Sequence, residues 1–208
     1  MRGIAHHLCN FLWLLAAAAP AHLSAGNQIY EPLATSVQGA LHKAISDHAV
    51  PYLAFGTEAE ARDWLSTMSS KLAGRMRERI AREEFLITVH YEAKRAGLDP
   101  QLVLGLIQVE SNFRKHAVSS AGARGYMQVM PFWIKLIGNN EHNLFNLRTN
   151  LRYGCVILRH YLDVEKGDLY RALGRYNGSL GRPEYPALVE RAWQRDWHYS
   201  AVTRVSAR

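Results

Sequence analysis

The sequence is poor in thiols, in paired metal ligands, in long apolar runs and in strand-like alternation, and each scarcity removes a class of answer. It holds two cysteines, Cys9 and Cys155. Cys9 falls in the leader-like N-terminal stretch, without the small residues before it that a lipid-modified cysteine needs. Cys155 sits in the apolar helical run Tyr153-Gly-Cys-Val-Ile-Leu158 and reads as a packing residue, so no internal disulfide framework is expected even where the compartment would permit one. The ten histidines form no His-x-x-x-His pair and the cysteines no Cys-x-x-Cys pair, so neither a metal nor another cofactor is expected. The apolar run Phe11 to Ala19 falls well short of the roughly 20 residues that span a bilayer. There is no internal repeat. One local absence matters most: between Ser111 and Asn140 there is no aspartate and no glutamate.

What is present begins with a leader. Arg2, the apolar run and the small-x-small triplet Ala19-Pro20-Ala21 read as a secretory signal over residues 1–25, cleaved after Ala21 or Ala25; a membrane anchor is the competing reading. Export to the periplasm follows, with peripheral placement at the cell envelope. The 48% hydrophobic content is that of a globular protein. The formal charge of +7 favours polyanionic cell-wall polymers over nucleic acid, for which no basic recognition stripe is present; a merely soluble basic surface explains the same charge.

The patterning predicts an α-dominated fold with at most a small hairpin around Val118 to Tyr126. A first helix runs from Thr35 to Ala49 on Val37, Leu41, Ala44, Ile45 and His48. Thr57-Glu-Ala-Glu60 is a capping box, opening a helix with Trp64, Leu65, Met68 and Leu72 on one stripe and Gly74 as its stop. From Arg82 to Ala96, Phe85, Leu86, Val89 and Ala93 face inward beneath a charged outer face. Gly97 and Leu98 close this helix, and Asp99-Pro100 starts the next at once. That helix is apolar nearly all round from Leu102 to Val109, which marks it as buried. Later helices are predicted at Pro131 to Ile137, Leu147 to Leu162 capped by Asn146, Asp168 to Tyr176 ending in Asn177-Gly178, and Pro186 to Trp197.

Glu110 emerges at the end of the buried helix. Apolar surroundings and the negative end of the helix dipole both disfavour its charged form, which suits a general acid. Position alone favours the plainer reading, a glutamate at a helix end that faces solvent or pairs with Arg114 or Lys115. The acid-free loop after it withholds the second carboxylate of an ordinary glycosidase. Assistance by a substrate acetamido group is the known way round that requirement.

The stretch Glu110, Ser111, Phe113, Ala117, Ser119, Gly122, Ala123, Gly125, Met127, Gln128, Met130, Pro131 resembles the signature of the soluble-type lytic transglycosylases, the SLT family, which share a goose-type lysozyme-like fold. The likeness continues through Asn146-Leu147, Gly154 and Tyr161-Leu162 into Ala172-Leu173 and Tyr176-Asn177-Gly178, covering roughly Phe85 to Trp197. It implies that Glu110 protonates the oxygen between N-acetylmuramic acid and N-acetylglucosamine, then accepts the proton of the muramic 6-hydroxyl, leaving a 1,6-anhydro end. It also implies substrate contacts at Ser119, Gly125, Met127, Gln128, Met130, Tyr176 and Asn177, with the Tyr176 hydroxyl in reach of Glu110. Ser119 could instead cap a turn, and Met127 and Met130 could be core filler. Two positions depart from the family pattern. Trp133 stands where threonine is common, on the expected groove wall, and Arg182-Pro-Glu-Tyr-Pro186 replaces a Glu-Thr-Arg-type segment.

The resulting expectation is a mainly α chain: leader 1–25, an N-terminal helical extension 26–81, and a lysozyme-like transglycosylase domain 82–208. It acts as a monomer on peptidoglycan glycan strands, without nucleic acid. A hydrolytic muramidase on the same fold and a non-catalytic wall-binding protein are the alternatives.

Overall fold

A computed structural model describes residues 28–46 and 49–200. The expected leader and His48 lie outside these residues. Among those described, eight α-helices carry the fold and no strand forms. They are α1 (Thr35–Ile45), α2 (Glu58–Leu72), α3 (Arg79–Arg95), α4 (Pro100–Ser111), α5 (Phe132–Ile137), α6 (Leu147–Val164), α7 (Leu169–Asn177) and α8 (Glu184–Arg191), with a π-helical turn at Ala192–Asp196. The hairpin expected before Tyr126 reduces to two isolated antiparallel bridges, Val118 with Arg124 and Arg124 with Val129.

The helix ends follow local chemistry. The Thr57 hydroxyl accepts the Glu60 amide while Glu60 accepts the Thr57 amide, which completes the capping box. At the end of α3, Gly97 has φ +67, Leu98 N–H reaches Ala93 O at 2.8 Å and Gly97 N–H reaches Lys94 O at 3.0 Å. This is the paired closure that a left-handed residue permits. The Asp99 side chain then accepts Gln101 N–H, and α4 begins on Pro100. Asn146 and Asp168 cap α6 and α7 in the same manner.

α4 is the central element. Leu102, Val103, Leu104, Leu106 and Ile107 are all buried, with α3, α8 and the π-helical turn packed around the helix. A helix apolar on every side buries only when neighbours cover every side, and this one has them.

Several boundaries and faces differ from expectation. α1 ends at Ile45, four residues before Ala49. α3 begins at Arg79 because the Glu78 carboxylate accepts Ile80 N–H and caps it. Arg82 is consequently inside the helix and buried, donating to Ser69 Oγ, Met76 O and Arg77 O. α8 begins at Glu184 rather than Pro186, and its last turn widens into the π-helical segment before Trp197.

α3 also holds two buried polar residues. Glu92 is 1% exposed and sits among Arg95, Arg148 and Arg152, the last at 2.9 Å. The same three guanidinium groups donate to Ala44 O and Ile45 O, at the carbonyl end of α1 where negative partial charge gathers, and to Ala49 O beyond it. The N-terminal helix is thus tied to α3 and α6 through one buried carboxylate.

His90 lies beside Glu92 on α3, stacked on Phe55 at 4.6 Å and edge-on to Trp64 at 4.9 Å. Burial, reinforced by Lys94, lowers its pKa from 6.5 to about 4. The folded protein therefore keeps His90 neutral where the unfolded chain protonates it. Its contribution is intact above pH 6.5 and is lost as pH falls through the window from 6.5 to about 4. At pH 5 we expect this residue alone to remove on the order of 2 kcal/mol relative to pH 8. Urea denaturation at both pH values checks this: His90→Phe should lose less stability than the unsubstituted protein, and equal losses would refute it.

Candidate active site

The C-terminal end of α4 presents Glu110 at 4% exposure, buried where its position alone favours an exposed side chain. The next two helical and capping residues set its direction. Ser111 Oγ donates to Tyr126 O at 2.7 Å, joining the helix end to the loop that follows. Asn112 and Phe113 then adopt φ +48 and +64, a left-handed conformation that costs energy in residues other than glycine. The surroundings hold them there. Arg75 donates to Asn112 Oδ1 at 2.9 Å, and the Phe113 ring is buried against Phe85 and Trp197.

Of the tyrosines whose phenols feel Glu110, Tyr185 is the one that donates to it. The Tyr176 hydroxyl donates to Met127 O at 2.8 Å, whereas the Tyr185 hydroxyl donates to Glu110 Oε1 at 2.5 Å. The reason is packing: Tyr185 lies in the first turn of α8, which lies against α4, while α7 delivers Tyr176 to the loop. Both phenols are fully buried, and burial together with the neighbouring Glu110 holds each pKa well above the ordinary tyrosine range. Each therefore stays protonated and remains a donor.

The loop from Ala117 to Met130 forms the neighbouring wall and is fixed by side chains from α4, α6 and α7. Asn150 of α6, fully buried, accepts Met127 N–H at 2.8 Å and donates to Arg124 O and Leu144 O. Gly125 has φ +77, and a side chain there would meet Asn150 and Leu144 at under 3 Å. Gly154 of α6 allows Met127 to lie on the helix, since a Cβ would come within 2.3 Å of the Met127 sulfur. Met127 is accordingly core filler, with no exposed surface, and Met130 is half-buried.

Gln128 also turns inward. At φ +47 and 2% exposure it donates to Ala117 O and Gly125 O, bracing the loop on itself. Ser119 Oγ accepts Ala123 N–H at 3.1 Å, so it holds a turn. Asn177 is buried at the end of α7. Trp133, expected on the groove wall, is buried instead against His160 and Tyr161 of α6. Residues 114–118 of the loop surround a depression of about 430 Å³ with Arg114, Lys115 and His116 on its rim. Among the described residues no group of three His, Cys, Asp or Glu could hold a metal ion.

Sequence reasoning missed Tyr185, Asn150 and the support of Asn112 by Arg75. Tyr185 stands within the segment that departs from the family pattern, and that departure was the available signal.

A family model described as the transglycosylase SLT domain matches residues 88–187, from α3 into α8. A transglycosylase of Enterobacteria phage PRD1 is 34% identical over 103 residues, covering 50% of this chain and 38% of that protein. A membrane-bound lytic murein transglycosylase C of Glaesserella parasuis is 36% identical over 113 residues, covering 47% of this chain and 31% of that protein. The protein of the same name in Haemophilus influenzae (strain PittEE) is 40% identical over 93 residues, covering 38% and 26%. The chain therefore spans less than two fifths of the length of these relatives. No solved structure matches. The helical architecture, the Glu110 stretch on the end of α4 and the matched segment agree: over residues 88–187 the chain is similar to the transglycosylase SLT domain.

Proposed function

We propose that the protein is an exported lytic transglycosylase that cleaves the bond between N-acetylmuramic acid and N-acetylglucosamine in peptidoglycan, acting as a monomer at the cell envelope. Residues 82–208 make up its catalytic domain and residues 26–81 an N-terminal extension. Glu110 is the acid and base. The observation that carries this reading is a carboxyl group buried at the end of the core helix α4, hydrogen-bonded by a tyrosine that stays protonated.

The reaction follows from a single such group. Protonated Glu110 gives its proton to the glycosidic oxygen as the C1–O bond breaks, and the acetamido oxygen of the muramic residue stabilises C1. The carboxylate left behind takes the proton of the 6-hydroxyl, which closes on C1 and restores the glutamic acid. Atoms balance without water. Tyr176, Asn177, Ser119, Gly125, Met127, Gln128 and Met130 shape the cleft, several of them by bracing the loop. The basic rim at Arg114, Lys115 and His116 suits the carboxylates of the peptide stems. The names of the relatives from Glaesserella and Haemophilus support placement at the envelope; no helix among the described residues is long and apolar enough to cross a membrane.

Digestion of purified murein, with the products weighed by mass spectrometry, tests the proposal. Anhydro ends are lighter than reducing ends by one water. Reducing ends alone would make the protein a hydrolytic muramidase.

The role of Tyr185 has its own test. Tyr185→Phe removes the donor to Glu110 Oε1 and little volume. We expect kcat to fall about tenfold, consistent with the loss of one hydrogen bond to an ionisable group, with KM nearly unchanged. An unchanged kcat would leave Tyr185 a packing residue.

A further inference from the structure

The catalytic loop has a support that lies far outside the family segment. Val129 exchanges both backbone hydrogen bonds with Arg124, each at 3.0 Å. In such a pairing the neighbouring groups, Gln128 C=O and Met130 N–H, point to the opposite edge of the strand-like segment. An open edge of this kind needs a partner when buried.

The partner is Gln28. Its side-chain amide donates to Gln128 O at 3.1 Å and its side-chain oxygen accepts Met130 N–H at 3.0 Å. One carboxamide thus supplies the donor and acceptor that a neighbouring strand would supply. Gln28 is 3% exposed, a rare burial for a glutamine, and both its polar ends are satisfied. The following residues dock in the same place. Tyr30 packs edge-on against Phe132 of α5 at 5.6 Å, and Glu31 pairs with Arg175 of α7 at 3.0 Å.

The loop is therefore gripped at two ends. Ser111, adjacent to Glu110, holds Tyr126 O, and Gln28 holds Gln128 and Met130. Between these grips lie Met127, fixed by Asn150 and Tyr176, and the left-handed backbone of Gln128. A positive φ at a glutamine persists only while its surroundings enforce it.

We propose that Gln28 is a positioning residue for the reaction at Glu110: its carboxamide sets the loop wall at the distance from the acid that the bound glycan requires. The proposal rests on the transglycosylase reading above. It assigns the N-terminal extension a part in the chemistry, because residues 88–187 alone lack this clamp.

The test uses two variants of the full chain. Gln28→Ala removes the side chain, and Gln28→Met keeps its length and packing but neither hydrogen bond. Steady-state kinetics on murein glycan strands should show kcat lowered about tenfold to a hundredfold in both, with KM within about twofold, the signature of a misplaced catalytic wall. Hydrogen exchange should show the Met130 amide losing its protection in both. A Gln28→Met variant with kcat equal to that of the unsubstituted protein overturns the clamp, because packing would then be its whole contribution. The two readings fail differently: an unsubstituted protein that yields no anhydro ends overturns the transglycosylase reading and the clamp with it, whereas undiminished lysis by Gln28→Met overturns the clamp alone.

Discussion

Glu110→Gln is expected to abolish release of anhydro-muropeptides, lowering the rate by at least about a thousandfold, while binding to murein sacculi persists. General acid–base groups commonly contribute 10²–10⁴-fold, and here one group serves in both directions, so no partner can substitute for it. The substitution is nearly isosteric. Glutamine offers the same oxygen to the Tyr185 hydroxyl, which lies 2.5 Å from Glu110 Oε1. It also removes a buried ionisable group, so the thermal midpoint should stay level or rise, as is usual where a site is built for chemistry at some cost in stability. Sedimentation with sacculi, product masses and the unfolding transition together check the three parts. Unchanged lysis would place the chemistry elsewhere. Lost binding together with a lowered midpoint would mean that the helix end had collapsed, and the loss of rate would then carry no mechanistic information.

The parts of this arrangement that were legible in the sequence are the local ones. The capping box at Thr57, the glycine closure at Gly97 and the Asp99-Pro100 start of α4 are each written within a few residues, and each formed as read. The burial of the helix behind Glu110 was legible because it is apolar nearly all round, whereas position alone favoured an exposed carboxylate at its end. What escaped notice depends on segments brought together by packing. Tyr185 reaches Glu110 across 75 residues, and Gln28 reaches Gln128 across 100. No periodicity marks either. Met127 was balanced between groove and core, and the deciding fact is a missing Cβ on Gly154 in another helix. Tyr176 lies in the expected motif, yet its hydroxyl direction was settled by the approach of the loop carbonyl at Met127. A family pattern thus locates the wall of the site more readily than it assigns each hydrogen bond within it.

Glu92 shows the same limit in its energetic form, and Glu92→Gln carries the largest expected effect on stability. On a helical wheel the residue falls beside Phe85, Val89 and Ala96 at the margin of the apolar face of α3, and nothing near it in sequence announces its partners. In the fold it is 1% exposed with three arginines around it. A glutamine fills the same space but leaves three partly buried guanidinium groups with no opposing charge. Breaking a buried ion pair from one side typically costs about 3–5 kcal/mol, because the remaining charge keeps its desolvation penalty. Urea denaturation should show a loss of that size, and added salt should recover little of it because the pair closest to Glu92, with Arg152, is shielded from solvent. Hydrogen exchange should locate the loosening at the end of α1, whose carbonyls at Ala44 and Ile45 the same arginines hold. A second substitution separates charge from packing. If unopposed charge is the cause, Arg152→Gln added to Glu92→Gln should restore part of the lost stability, since neighbouring changes of this kind are not additive. If the double variant is less stable than either single one, the cluster acts through packing and hydrogen bonds to α1 rather than through charge balance.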